Sequence, residues 1–254
     1  MKLGFIGTGE ITKAVVQGIT KSKINYKKIL ISKRNNKTSS YLKKINKKVI
    51  ISSDNQYIID NSDWIFLAIT PTVAKQILEK LKFKDKQIVI SFISTIKLRE
   101  LKLLSNKKTN IVRAIPLPPI SFMKGPIPLF PRNKKVSKFF NNIGDTIEIS
   151  DETTSLSFWA VSSLMAPYYE LLNEVSMWLQ KKGLNKWYAQ KYVVSLFSAL
   201  SDAAVIRSNK DLKFLVETSQ TPKGLNEQTL KYLKKKGFYK QLNVSLEKIF
   251  KRLK

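Results

Sequence analysis

Lys2-Leu-Gly-Phe-Ile6-Gly7-Thr8-Gly9-Glu10-Ile11-Thr12 opens the chain and decides how the rest is read. Lys2 to Ile6 is a short apolar run of strand type, Gly7-Thr8-Gly9 a turn that bulky residues cannot make, and Ile11 to Thr20 an amphipathic helix. Strand, glycine turn and helix in that order form a dinucleotide-binding start. Glycines let backbone N–H groups approach a pyrophosphate, and the helix N-terminus adds partial positive charge. The cofactor-binding candidates here are Gly7, Thr8, Gly9, Glu10 and Ile11. Thr12 stands where the usual pattern has its third glycine, and its larger side chain is expected to push the helix slightly off the strand.

A second strand, Lys28 to Ser32, follows after the interval that a βαβ unit needs. Chains that bind NAD place a carboxylate near its end for the ribose 2'-hydroxyl. Here the sequence reads Ser32-Lys33-Arg34-Asn35-Asn36. Without a carboxylate, Ser32, Lys33 and Arg34 make a pocket suited to a 2'-phosphate, which selects NADP(H) over NAD(H).

The 254 residues, 43% of them hydrophobic, suffice for one large core or two modest ones. A net charge of +28 raises the question of nucleic acid, but forty of the forty-six basic residues are Lys, spread from Lys2 to Lys254 with no Arg-rich helix. Readers of nucleic acid favour Arg forks and stacked rings, so no nucleic-acid partner is expected. The chain has neither Cys nor His. That excludes disulfides, thiol nucleophiles, Ser-His triads and zinc sites built on those ligands, and no metal is expected. Proton transfer is left to Tyr, Lys, Ser, Thr, a carboxylate or water. The first strand starts at once, leaving no room for a signal peptide, and the cytoplasm is the expected compartment. Thr153 to Tyr169 is uncharged, but it carries six Ser and Thr and a proline. It reads as a buried helix at a subunit or domain interface, and no membrane partner is expected.

Short β-like runs alternate with helical patterns over the first part of the chain. Strands are expected at Lys2–Ile6, Lys28–Ser32, Val49–Ile51, Trp64–Ile69, Gln87–Phe92, Asn110–Ile115 and Asp145–Ser150, with helices near 12–21, 38–44, 55–60, 72–80 and 96–104. Six of the nine prolines fall between Pro116 and Pro131, a density that stops helices and reads as a rigid connection. After residue 150 the pattern is helical throughout, with long helices over 157–182 and 185–207 divided by Gly183 and capped by Asn185. These two helices carry more aromatic surface than they can bury alone, so a partner chain is expected. The fold class is therefore α/β. An N-terminal Rossmann-type doubly wound sheet over 1–150 is followed by an all-helical dimerisation and substrate domain over 151–254.

Several segments, in order, resemble the pyrroline-5-carboxylate reductase family over essentially the whole chain: Met1 to Glu10, Ser53-Asp54-Asn55, Phe66-Leu-Ala68-Ile69-Thr70-Pro71, Val112-Arg-Ala-Ile-Pro116, Ser162-Ser163-Leu-Met-Ala166-Pro167-Tyr168 and Thr221-Pro222-Lys223-Gly224-Leu225-Asn226. The resemblance implies reduction of a cyclic imino acid by NADPH, pyrroline-5-carboxylate to proline, in a homodimer or higher homo-oligomer. It sets Asn55, Ala68, Ile69, Thr70 and Pro71 beside the cofactor. Thr221, Pro222, Lys223, Gly224, Leu225 and Asn226 become a substrate loop with Thr221 and Asn226 as catalytic candidates, and Ser163 and Tyr168 come near the substrate. The chain departs from the family pattern where it has Thr70 for Lys, Leu117 for Asn, Lys223 for Gly and Asn226 for Thr.

A protonated imine is already electrophilic, so the reaction needs positioning more than a strong acid, and a chain without His is competent. In the loop, backbone N–H groups at a helix start suit the carboxylate of the substrate, and Gly224 is expected to let the chain pass close to it. Two alternatives accompany this reading. A β-hydroxyacid-dehydrogenase-like NADP oxidoreductase is disfavoured because the residue four before Asn173 is Tyr169 where that family has Lys. A homologue that binds NADP but has lost turnover is suggested by Thr12, Leu117 and Lys223.

Overall fold

The computed structural model describes residues 1–85, 87–105 and 109–254. Among the described residues eight strands form one sheet: β1 (Lys2–Ile6), β2 (Lys28–Ser32), β3 (Val49–Ser52), β4 (Trp64–Leu67), β5 (Ile88–Ser91), β6 (Asn110–Ala114), β7 (Pro126–Phe130) and β8 (Asp145–Glu148). Their order is β3-β2-β1-β4-β5-β6-β7-β8. The first six are parallel, β7 is antiparallel to β6, and β8 runs parallel to β7. Between them lie α1 (Glu10–Lys21), α2 (Asn36–Ile45), α3 (Asn55–Asp60), α4 (Pro71–Leu78), α5 (Leu98–Leu104) and α6 (Lys134–Phe140).

Alternation along each strand feeds two cores. Leu3, Phe5, Ile29, Ile31, Trp64 and Phe66 join one apolar cluster, while Ile6, Leu30, Ile65 and Leu67 join another. Successive side chains of a strand point to opposite faces, so both faces of this sheet are covered, as a parallel sheet requires. The rings of Phe5 and Phe66 stack across β1 and β4 at 4.3 Å between centroids. The strand order reverses at β1, which has β2 on one side and β4 on the other. Ligands of open α/β sheets bind at the carboxyl ends of the strands flanking such a reversal, and the glycine turn after β1 sits there.

The proline-rich connection contains a strand that the sequence pattern hides. Pro126 and Pro128 cannot donate to a ladder, but their segment pairs through its carbonyls: Pro128 O accepts from Ile115 N at 3.1 Å and Leu129 O from Ile149 N at 2.9 Å. Thr12, in place of the usual third glycine, has a second role. It is fully buried, and its hydroxyl donates to Gly7 O at 2.7 Å, so the side chain ties α1 to the glycine turn.

By compactness the chain divides into residues 1–159 with 253–254, and residues 160–252. The helices after β8 are α7 (Glu152–Ser162), α8 (Met165–Lys181), α9 (Lys186–Ile206), α10 (Leu212–Thr218), α11 (Leu225–Lys235) and α12 (Phe238–Leu253). The helix expected over 157–182 is two helices. Pro167 has no N–H to offer Ser163 O, and the turn before it tightens, with Ser163 N bonded to Ala160 O and Leu164 N to Val161 O. Pro167 thus lies in the first turn of α8, where a missing donor costs nothing, and does not kink a helix interior. The uncharged stretch 153–169 is divided by the same break, and among the described residues no helix is long and apolar enough to cross a membrane. Gly183, at φ +100°, ends the α8 turn, and the Asn185 side chain caps α9 by accepting from Tyr188 N at 3.0 Å.

Within the second unit, α8 packs against α9 and buries little. Trp178 is 57% exposed, Trp187 60% and Leu200 58%, and α10, α11 and α12 bury no residue completely.

Candidate active site

The turn after β1 is held from both neighbouring strands. Gly7 has φ +101°, and a Cβ there would lie 2.3 Å from Ala68 O, so the backbones following β1 and β4 touch only because residue 7 lacks a side chain. Gly7 N donates to Ser32 Oγ at 2.9 Å. Thr8 Oγ1 lies 3.0 Å from the same hydroxyl and also donates to Ser32 O. Gly9 differs from Gly7, because a Cβ on it would meet nothing within 4 Å. It keeps open the space in front of α1, whose N-terminus has no side-chain cap. Backbone N–H groups left uncapped at a helix start, with clear space before them, favour an anion.

Two adjoining cavities occupy this end of the sheet. One, of about 300 Å³, is lined by Ile6, Gly7, Ser32, Lys33, Arg34, Ser53, Asn55, Ile69 and Ile77. The other, of about 510 Å³, is lined by Gly7, Thr8, Gly9, Arg34, Asn35, Asn36, Ala68, Ile69 and Thr70. Ten residues that the sequence singles out for cofactor binding therefore come together. Glu10, Ile11 and Pro71 do not line either space: Glu10 is exposed and pairs with Lys13 at 3.4 Å, Ile11 packs on the core, and Pro71 starts α4.

Ser32 reaches the smaller cavity, but its buried hydroxyl is committed to Gly7 and Thr8. Lys33 and Arg34 are exposed, and among the described residues neither side chain has a hydrogen bond or an ion pair. Sequence reasoning missed Ile6, Asn35, Asn36, Ser53 and Ile77. Ser53 had a usable signal, since it directly follows β3 and residues just past parallel strands converge on this edge.

The expected substrate loop lies in the second unit. Gly224 N bonds to Thr221 O at 2.8 Å, closing a turn with Pro222 second and Lys223 third. Lys223 has φ +61°. This is the conformation a type II turn demands at that position, where glycine is usual. A Cβ on Gly224 would meet Thr221 Oγ1 at 2.1 Å and Thr221 O at 2.9 Å, so the loop needs this glycine for its own closure, before any ligand is considered.

The start of α11 is also partly filled from within. Glu227 Oε2 accepts from Lys223 N at 2.7 Å and its Oε1 lies 2.7 Å from Lys231 Nζ. These bonds, Lys231 first and the Lys223 N–H next, hold the Glu227 carboxyl below its ordinary value. Asn226 Nδ2 donates to Ser219 O at 2.8 Å and ties the loop to the end of α10. Ser163 spends its hydroxyl on Ala160 O at 2.6 Å. The Tyr168 ring lies against Tyr169 and Phe197. Among the described residues neither Ser163 nor Tyr168 has a hydrogen bond or ring contact with the loop. Among the described residues no cluster of carboxylates could hold a metal ion.

Comparison with known proteins extends beyond the glycine turn. Residues 2–95 match the model of a family described as NADP oxidoreductase, coenzyme F420-dependent. Pyrroline-5-carboxylate reductase 2 of Bacillus subtilis is 23% identical over 262 aligned positions, covering 99% of this chain and 93% of the relative. The 1-pyrroline-5-carboxylate reductase of Streptococcus pyogenes shares the fold at a TM-score of 0.85, with 20% identity over 100% of this chain and 98% of that one. The chain resembles the pyrroline-5-carboxylate reductases from end to end. The Plasmodium falciparum pyrroline carboxylate reductase, whose structure has NADP bound, also gives a TM-score of 0.85, at 21% identity over 100% of this chain and 97% of that one.

Against the pyrroline-5-carboxylate reductase pattern, the departures now have addresses. Thr70 precedes α4, its hydroxyl 3.1 Å from that of Thr72. Leu117 leads into a 3-10 turn, Pro118–Phe122, with its carbonyl accepting from Ile120 N. Lys223 is the costly one, because a residue with a Cβ occupies left-handed backbone there.

Proposed function

We propose that this protein is an NADPH-dependent reductase of a cyclic imino acid, converting pyrroline-5-carboxylate to proline. The observation that carries the reading is the meeting of the glycine turn, the uncapped start of α1 and the unpaired Lys33 and Arg34 in one cleft, in a chain whose full-length relatives are pyrroline-5-carboxylate reductases. The residues fit the cofactor. Gly9 leaves the space a pyrophosphate needs over the N–H groups of α1, and Arg34, shared by both cavities, offers a charge-assisted bond to a 2'-phosphate. NADPH supplies the hydride when bound.

The rest of the task is positioning, which the chain can do without His, because a protonated C=N needs no strong acid. The loop Thr221–Asn226 is our substrate loop, with Thr221 and Asn226 as the residues nearest the chemistry and Lys223 as the cation facing the carboxylate. We assign the exposed aromatic faces of α8 and α9 to a second copy of the chain, making a homodimer, and place the protein in the cytoplasm. Mixing purified protein with NADPH and pyrroline-5-carboxylate and following nicotinamide absorbance tests the reading; formation of proline is the expected result.

A further inference from the structure

At the carboxyl edge of the sheet β5 runs beside β4, with Ser91 level with Leu67, and the chain just beyond stays adjacent, Phe92 N bonding to Leu67 O at 2.9 Å. The segment after β5 therefore leaves the sheet next to Ala68, Ile69 and Thr70, which line the larger cavity of the cofactor cleft. Ile93 and Ile96 seat it in the apolar cluster that holds Ile65 and Leu67, and Thr95 between them is exposed.

One ion pair grips this segment at both ends. Arg113, on the neighbouring β6 and 2% exposed, donates through Nη2 to Ser94 O at 2.7 Å and through Nη1 to Glu152 Oε1 at 2.6 Å. The same Glu152 oxygen accepts Leu98 N at 2.7 Å. Lys97, the residue before α5, provides no side-chain cap, so Glu152 supplies that cap from a distant part of the chain. Burying a guanidinium is a poor source of stability, since an apolar pair of similar volume often does as well or better. What this pair does is fix a backbone, because its bonds to Ser94 O and Leu98 N go to main-chain groups of one loop.

Dinucleotides span the crevice outside the carboxyl ends of the strands. Here the glycine turn follows β1 and Arg34 follows β2, so a dinucleotide anchored on both sends its nicotinamide half to the other side of β1, where β4 and β5 end. We propose that Arg113 and Glu152 are positioning residues for that half. By holding Ser94 O and Leu98 N they keep the 94–98 loop in place beside Ala68, Ile69 and Thr70, as its support. The inference rests on the cleft being the NADPH site of the reductase proposed above.

Binding separates the two halves of the cofactor. The full chain is titrated with NADPH and with 2',5'-ADP, which carries the adenosine half and no nicotinamide; the unmutated protein should bind NADPH more tightly. Arg113→Met, which frees Ser94 O, should weaken NADPH severalfold and leave 2',5'-ADP unchanged. At saturating NADPH it should lower kcat for pyrroline-5-carboxylate about tenfold or more, the scale of a misplaced reactant. Glu152→Ala also frees Leu98 N and should do at least as much, whereas Glu152→Gln keeps an acceptor for both donors and should retain most of the unmutated behaviour. Gln87→Leu is the control for lost stability. It removes buried bonds to Ile59 O and Ser62 O just ahead of β5, and should leave both affinities unchanged. Equal weakening of NADPH and 2',5'-ADP in Arg113→Met, unchanged NADPH affinity and kcat in that variant, or NADPH bound no more tightly than 2',5'-ADP by the unmutated protein would each overturn the proposal. If the unmutated protein fails to reduce pyrroline-5-carboxylate, the reductase reading falls, and the two titrations still decide the role of Arg113.

Discussion

Ser32, at the end of β2, accepts the backbone N–H of Gly7 at 2.9 Å, so the residue that sequence logic assigns to a 2'-phosphate spends its hydroxyl on the glycine turn. The contact separates two roles that the run Ser32-Lys33-Arg34 blends together. Ser32→Ala leaves a buried N–H without an acceptor, a cost of about 1–3 kcal/mol. It should lower stability and weaken NADPH and NADH alike, as urea denaturation and cofactor titration would show.

Arg34→Ala should behave differently. The side chain is exposed and, among the described residues, unpaired, so stability should hold. The preference for NADPH should shrink by roughly 1.5–3 kcal/mol, the scale of a charge-assisted hydrogen bond. Equal affinity of the unmutated protein for NADPH and NADH would remove the basis for the assignment.

Arg113 on β6 is 2% exposed, donates to Glu152 Oε1 at 2.6 Å and to Ser94 O at 2.7 Å, and keeps its Nε without a partner. Burial, the larger effect, lowers its pKa against the opposing pull of Glu152. Glu152 Oε1 also accepts Leu98 N at 2.7 Å. Glu152→Ala strands a buried cation and a backbone donor together, and should cost about 3 kcal/mol or more in urea denaturation. Arg113→Met should cost less, because Glu152 is partly exposed and can turn to water.

Glu227 makes the substrate loop sensitive to acid. Its carboxyl is held below the ordinary value, so the bond to Lys223 N–H is fully present at neutral pH and through the ordinary glutamate range. It is lost only as pH falls through the lowered value. The amide resonance of Lys223 should report that titration and should stop titrating in Glu227→Gln. If the loop takes a carboxylate, Glu227→Gln should also lower KM severalfold for pyrroline-5-carboxylate and leave KM for 1-pyrroline, which has no carboxylate, unchanged. A purely structural cap would raise both.

The exposed rings of Trp178 and Trp187 make association a measurable claim. Sedimentation of the full chain at micromolar concentration should give a dimer or a larger closed assembly; a monomer would refute the assignment of α8 and α9 to a second copy.

The sequence was most legible where one period dominates. The bounds of β1, β2 and α3 are those expected: short apolar runs mark the two strands, and in the structure the Asp54 side chain caps α3 at the residue where the helix was expected to start. β7 was hidden because Pro126 and Pro128 read as breakers, and only the neighbouring strands reveal that the segment between them is paired on both sides. The break before α8 was hidden because apolar spacing continues across Ser163, while the tightening depends on one absent N–H. In the cleft, residue type located Lys33 and Arg34. That the Ser32 hydroxyl faces inward is a matter of packing, which residue type does not encode. The loop carried the same lesson: Gly224 reads as room for a ligand, whereas the first atom its Cβ would meet belongs to Thr221.

The most direct measurement is steady-state reduction of pyrroline-5-carboxylate by the full chain, with NADPH and NADH compared at equal concentration and proline quantified. Proline should form in step with NADPH consumed, with a markedly lower kcat/KM for NADH. Tight NADPH binding with no proline formed would contradict it and leave the chain a cofactor-binding protein.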